Sequence, residues 1–267
     1  MSDYDSNLVP YGESSSNSPQ DAAVEAQKFL EKICMPVAEE LGTLLVDTVN
    51  QWRYKNIVKI LLKAEGIYNS HGMEGFRVHP RIASQIIEIG CWYPDDEVQS
   101  MWAGLLASSC TEEGTQDDNL LFVNIMAQLN TLEFKLIKFL ATEVPVVQYL
   151  DDIHCADIME IHTNDLLKVL DDGNRSTYDR IFDHLRAMGM LQVFPKVGGG
   201  GYTNASLLAS LCPSDLMHYL HIKCQGDNST ISQYYKLKEQ DYFNKFKIDR
   251  LIYRFDFEEY QRKRGLR

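Results

Sequence analysis

Residues 94–107 read PDDEVQSMWAGLLA, and this stretch decides the fold class. Asp95, Asp96 and Glu97 supply an acidic first turn, which suits the positive end of a helix dipole. Val98, Met101, Trp102, Leu105 and Leu106 then recur at i, i+3, i+4, i+7 and i+8, the spacing of one apolar stripe on an α-helix. A stripe of Trp and Leu has to be covered by other elements, so the chain is expected to be mainly α and packed around this segment.

The flanking sequence supplies those elements. Asp21 to Asn50 carries Leu30, Ile33, Val37, Leu41, Leu44 and Leu45 near a 3.6-residue period, and Pro36 inside the run is expected to kink or split the helix. Trp52 to Ser70 puts Tyr54, Ile57, Val58, Leu61, Ala64 and Tyr68 on one face, with Gly72 as its stop. Pro80 opens a short helix with Ile82, Ile86 and Ile87 inward. After a polar loop from Thr111 to Asn119, Leu120 to Leu129 reads as helical. Asn130, with Glu133 three residues on, caps a further helix through Leu140. These elements make a helical domain over residues 20–145, behind a leader (1–19) rich in Ser, Asn and Asp that reads as disordered.

The texture changes after Pro145. Thr163 to Leu170 and Ser176 to Met188 read as two short helices joined by Asp171-Asp172-Gly173-Asn174, with Gly189 ending the second. Leu191 to Phe194 and Tyr202 to Thr203 read as strands around Gly198–Gly201. Helix, turn, helix and glycine-tipped hairpin outline a winged-helix-like domain over 146–225, with Ala205 to Cys224 as its closing helix. Residues 226–267 form an aromatic and basic C-terminal extension. The expected fold is thus an N-terminal helical domain followed by a winged-helix-like domain with a small β-hairpin.

The totals exclude several classes. Against 26 Lys and Arg stand 38 Asp and Glu, a net charge of −12, which argues against duplex DNA binding by the whole surface. No apolar run reaches the roughly 18 residues a membrane span needs, and the polar N-terminus does not read as a signal peptide. The six cysteines are dispersed and never form C-x-x-C, so they read as reduced, buried small hydrophobes of a cytosolic protein.

Motifs of chemistry are missing: there is no H-E-x-x-H, G-x-S-x-G, P-loop or G-x-G-x-x-G, and no cofactor, metal or catalytic residue is assigned. His218, His221 and Cys224 stand three apart with Cys212 upstream, but i+6 turns Cys224 away from His218, and ordinary packing is the better account. His154, Cys155 and His162 read the same way. The pairs Asp117-Asp118, Asp151-Asp152 and Asp171-Asp172 fall in expected turns and caps. Lys55, Lys59 and Lys63, with Arg53 adjacent, form a basic stripe read as a solvated face in preference to an anion site.

Two places retain a claim on nucleic acid or a partner. Arg175, Arg180 and Arg186 lie in or beside the would-be recognition helix, but so do Asp179 and Asp183. Residues 151–189 hold nine acids against four bases, so phosphate would be repelled. In the extension, Lys236, Lys238, Tyr242, Lys245, Lys247, Arg250 and Arg254 interleave cations with aromatics, a pattern that suits single strands. A final amphipathic element whose aromatics pack on the body, or on a partner subunit, is the preferred reading.

Several of these stretches resemble one family. Pro36-Val37-Ala38-Glu39-Glu40-Leu41-Gly42 with Asp47, Arg53 and Asn56 is similar to the opening of the bacterial abortive infection alpha family. Asp95 to Gln99 leading into Trp102-Ala103-Gly104-Leu105-Leu106-Ala107 resembles its most recognisable stretch. Phe122 to Leu140, with its turn at Leu129 to Glu133, and Leu185 to Leu191 continue the likeness. The resemblance covers roughly residues 20 to 225, with Pro36, Gly42, Trp102, Ala103, Leu105 and Leu106 as its core motif, and it departs at Gly104 and in the extension. It implies a role in limiting phage propagation and brings no catalytic residues. Together with the missing motifs, it leads to the expectation of an anti-phage protein acting through protein contacts, with a partner, a phage component or itself. The alternative is a nucleic-acid-binding regulator that uses the winged helix or the extension.

Overall fold

The computed structural model describes residues 19–41, 48–148, 154–170, 175–192, 202–203, 208–236 and 252–265. The chain divides into two compact units, Met1–Ala127 with Cys224–Asp227, and Gln128–Lys223 with Asn228–Arg267. It is mainly helical.

In the first unit, α1 (Pro19–Ile33) and α2 (Met35–Leu41) are the two halves of the run that Pro36 was expected to divide. The break falls at Cys34, which puts Pro36 in the first turn of α2, where its missing N–H costs nothing. Then come α3 (Thr48–Ser70), stopped by Gly72 at φ 64°, β1 (Arg77–Val78), α4 (Pro80–Gly90), α5 (Asp96–Ser108), β2 (Cys110–Thr111) and α6 (Leu120–Met126). The strands β1 and β2 pair antiparallel.

The α5 helix carries the deciding stretch, and its environment exceeds what one stripe predicts. Asp95 caps it by accepting from the N–H groups of Glu97 (3.0 Å) and Val98 (3.1 Å). Every residue from Met101 to Ser108 is buried, so the helix is covered on all sides. The side away from the Trp and Leu stripe holds small residues. A Cβ placed on Gly104 would lie 1.8 Å from the carbonyl oxygen of Cys224. The backbone of Cys224–Asp227 therefore rests directly on α5, and only glycine leaves room for it. A buried polar latch fixes the other side: Gln99 Nε2 donates to Asn56 Oδ1 (3.2 Å) and to the Tyr93 carbonyl (2.9 Å), while Asn56 Nδ2 donates to the Cys91 carbonyl (2.9 Å). Buried amides require such partners, and these join α3, the α4–α5 connection and α5.

The second unit contains α7 (Thr131–Glu143), β3 (Val146–Gln148), β4 (His154–Ala156), β5 (Ile158–His162), α8 (Thr163–Leu170) and α9 (Arg175–Ala187). It continues with β6 (Tyr202–Thr203), β7 (Leu208–Leu211), α10 (Asp215–Cys224, its last residue counted with the first unit), α11 (Ile231–Tyr234), β8 (Ile252–Arg254) and α12 (Phe257–Lys263). The expected helices at Thr163 to Leu170 and Ser176 to Met188 are present, and Gly189 ends the second at φ 73°. The β-structure is richer than one small hairpin. A four-stranded sheet runs in the order β6-β7-β5-β8, with β5 antiparallel to β7 and parallel to β8, and β3 and β4 form a separate antiparallel pair.

Two expectations need correction here. Ala205 to Cys224 is not one helix: Leu208–Leu211 is a strand hydrogen-bonded on both edges, and only Asp215–Cys224 is helical. Pro213 accounts for the division, because it disfavours α conformation in the residue before it. Tyr202–Thr203 pairs with β7, while Leu191 makes only an isolated bridge to Pro213. Gly198–Gly201 lie outside the described residues.

Candidate functional site

The α9 helix was the sequence's candidate for recognition. Arg175 is its first residue, and Arg180 is exposed. Arg186 pairs with Asp183 one turn earlier, and Asp179 and Asp183 are both exposed. Among the side chains described, two arginines stand against two aspartates, and one of those arginines is already committed.

The helix is also anchored from behind. Glu133, only 2% exposed, accepts from the N–H of Asn130 through Oε2 (2.8 Å). The Asn130 side chain accepts from the N–H groups of Leu132 and Glu133, which completes a capping box at the start of α7. The other carboxylate oxygen, Oε1, lies 2.6 Å from His184 Nδ1 on α9. One buried side chain therefore caps one helix and holds a second. The sequence showed the cap; nothing in it signals a contact 51 residues away.

Of the extension residues singled out, Lys238, Tyr242, Lys245, Lys247 and Arg250 lie outside the described residues. Lys236 is exposed, with a φ of 50°. Arg254 ends β8, in register with Glu160 of β5. The described aromatics turn inward. Phe255 and Tyr260 pack on Phe139 of α7 at centroid distances of 5.3 and 5.9 Å, and Lys168 sits 4.8 Å over the Phe257 ring. Arg264 reaches Glu143 (3.7 Å), and burial pushes the Glu143 carboxyl up from its ordinary value, opposed by Arg264 and Lys263. Phe255 is buried by these contacts, and Phe257 and Tyr260 are half-buried.

Buried histidines mark α10. Tyr235 donates its hydroxyl proton to the Ala141 carbonyl (2.9 Å), so its oxygen is left to accept from His218 Nδ1–H, also at 2.9 Å. Among the described residues the buried Nδ1 of His221 has no hydrogen-bond partner, and its ring packs edge-on against Tyr234. Burial, then the neighbouring His218 and Lys138, pulls its pKa down to about 3. The ring is neutral at physiological pH. Cys34, Cys91, Cys110, Cys212 and Cys224 are buried free thiols, and burial pushes Cys110 up to about 12, far from nucleophile chemistry. Among the described residues, no three His, Cys, Asp or Glu side chains are grouped so as to hold a metal ion.

Four of the six residues of the family-like core motif are buried. Trp102, Ala103, Leu105 and Leu106 are fully buried in α5, Pro36 is exposed in α2, and Gly42 lies outside the described residues. Sequence reasoning gave no role to Trp92, which the structure leaves exposed beside Trp52. Its position after Cys91, between two helices, carries no period that could have flagged it.

A family model described as abortive infection alpha matches residues 62–247. The match takes in α5 and its Trp-Ala-x-Leu-Leu segment, and it continues into the extension as far as residue 247, a part of the chain the sequence reading had set outside the family. It begins after the Pro36–Gly42 stretch. No curated protein and no solved structure matches the chain.

Proposed function

Since the chain belongs to the abortive infection alpha family, we propose that it limits phage propagation through contacts with other proteins rather than through a catalytic centre of its own. The family match is the observation that carries this reading. The second unit supports it as a docking module. Apart from the β3–β4 pair inserted after α7, the order α7, β5, α8, α9, β6, β7, with β7 antiparallel to both β5 and β6, suits a winged helix whose exposed helix is α9. The exposed Asp179 and Asp183 of α9 suit a protein surface better than a phosphate backbone. We place the action in the cytosol on the dispersed, unpaired cysteines; among the described residues, no helix is long and apolar enough to cross a membrane.

Strains with and without the gene, challenged with a panel of phages, test the reading. Fewer plaques in the carrying strain are expected, and equal counts across the panel would overturn it. Reversing charge on α9 through Asp179→Lys and Asp183→Lys should abolish protection without unfolding the chain.

A further inference from the structure

We propose that the surface formed by Trp52, Lys55, Lys59 and Trp92 in the first unit binds single-stranded nucleic acid. The two indoles are 39% and 52% exposed. Their centroids are 6.2 Å apart with planes at 51°. The Arg53 guanidinium lies 4.7 Å over the Trp92 ring, and its Nε donates to Cys91 Sγ (3.2 Å), so the cation is held in place against the aromatic.

The charges decide the class of ligand. Trp52, Lys55 and Lys59 stand at i, i+3 and i+7 on α3, so they share a face, and the two lysines are about 6 Å apart along the helix axis. Lys55 and Lys59 are exposed, and neither they nor Arg53 makes an ion pair among the described residues. Lys63, the next in the row, is committed to Asp96 (2.7 Å) and Ser100 (2.8 Å). On the other side of the patch two carboxylates oppose it: Asp95, which caps α5, and Glu88, exposed near Cys91. Three cations against two acids, in a chain of net charge −12, form a local site for an anion. At physiological salt the Debye length is about 8 Å, so this local balance outweighs the distant acids. Flat indoles and a guanidinium plane accept any base by stacking while lysines follow the phosphates, which is how single strands are held without sequence preference. An acidic peptide would use the lysines but leave the rings without stacking partners.

The test uses the full chain and its own fluorescence. Trp102 is fully buried, so quenching reports Trp52 and Trp92. Titration with a single-stranded oligothymidine of about 15 nucleotides should quench emission. With two or three phosphates neutralised, affinity should fall about tenfold between roughly 50 and 200 mM salt. Lys55→Gln with Lys59→Gln should weaken binding about tenfold while circular dichroism and melting temperature stay unchanged, because neither lysine makes an ion pair among the described residues. Trp92→Leu should weaken it independently of salt. The proposal is overturned by absence of quenching, by equal affinity in the Lys55→Gln/Lys59→Gln protein, or by tighter binding of a polyglutamate peptide than of the oligonucleotide. The phage-challenge result does not bear on this assay, so the two readings fail separately.

Discussion

Acidification should destabilise the protein through His221, by an amount that the structure sets. In the unfolded chain this ring titrates at its ordinary 6.5, whereas in the fold burial, His218 and Lys138 hold it at about 3. A depressed histidine favours the folded state above the unfolded pKa, and that advantage drains away as pH falls from 6.5 toward 3, because only the unfolded ring takes up the proton. At pH 5 the unfolded ring gains about 1.5 pH units of protonation free energy, or about 2 kcal/mol, while the folded ring gains almost none. Any folded pKa below about 4 gives the same figure, since protonation in the fold is then negligible at pH 5. Urea denaturation at pH 7 and pH 5, on the parent and on His221→Gln, isolates the effect. Every other titrating group appears in both proteins and cancels. The parent should lose about 2 kcal/mol more than the variant on acidification. Equal losses, or an NMR titration placing His221 near 6.5, would refute the account of the buried ring.

Two substitutions test the packing. Gly104→Ala should lower stability by about 3 kcal/mol or more in thermal unfolding, because its Cβ would meet the Cys224 carbonyl and backbone cannot swing aside like a side chain. At an exposed helix position the same change would add about 1 kcal/mol, so the sign itself is diagnostic. Glu133→Ala should cost about 2–3 kcal/mol, from loss of the α7 cap and of the His184 anchor, with Glu133→Gln intermediate; a cost below about 1 kcal/mol would mean that the cap alone matters.

The legible parts of this fold are those punctuated locally. Pro36, Gly72, Pro80, Asn130 and Gly189 mark helix ends through backbone sterics and capping, and each does so here. What stayed hidden depends on partners distant in sequence. Leu208–Leu211 has too few residues to distinguish a period, and pairing with β5 and β6 makes it a strand. The parallel addition of β8 to β5 joins residues nearly a hundred apart. The departure from the family pattern at Gly104 carried no meaning until Cys224 was seen to lie against it, with Gly226 at φ 80° facing Ile67 alongside. The candidate site was less legible still. Five extension residues lie outside the described region, the α9 arginines gain their meaning from neighbouring acids, and Trp52 meets Trp92 across 40 positions.

Counting basic residues would have pointed to the extension and to α9. Asking what each cation already holds points elsewhere. In the second unit Arg186 is matched by Asp183, Lys168 by Asp165, Lys263 by Glu259 and Arg264 by Glu143. A phosphate reaching any of these four would have to displace a carboxylate, and the released acid would then repel it. On α3 no such exchange is required, because Lys55 and Lys59 make no ion pair among the described residues and the counterions around them are free to leave. The entropy of that release is the driving force of nucleic-acid association. An acidic protein can therefore hold a strand at one patch while its other charged surfaces remain available to protein partners.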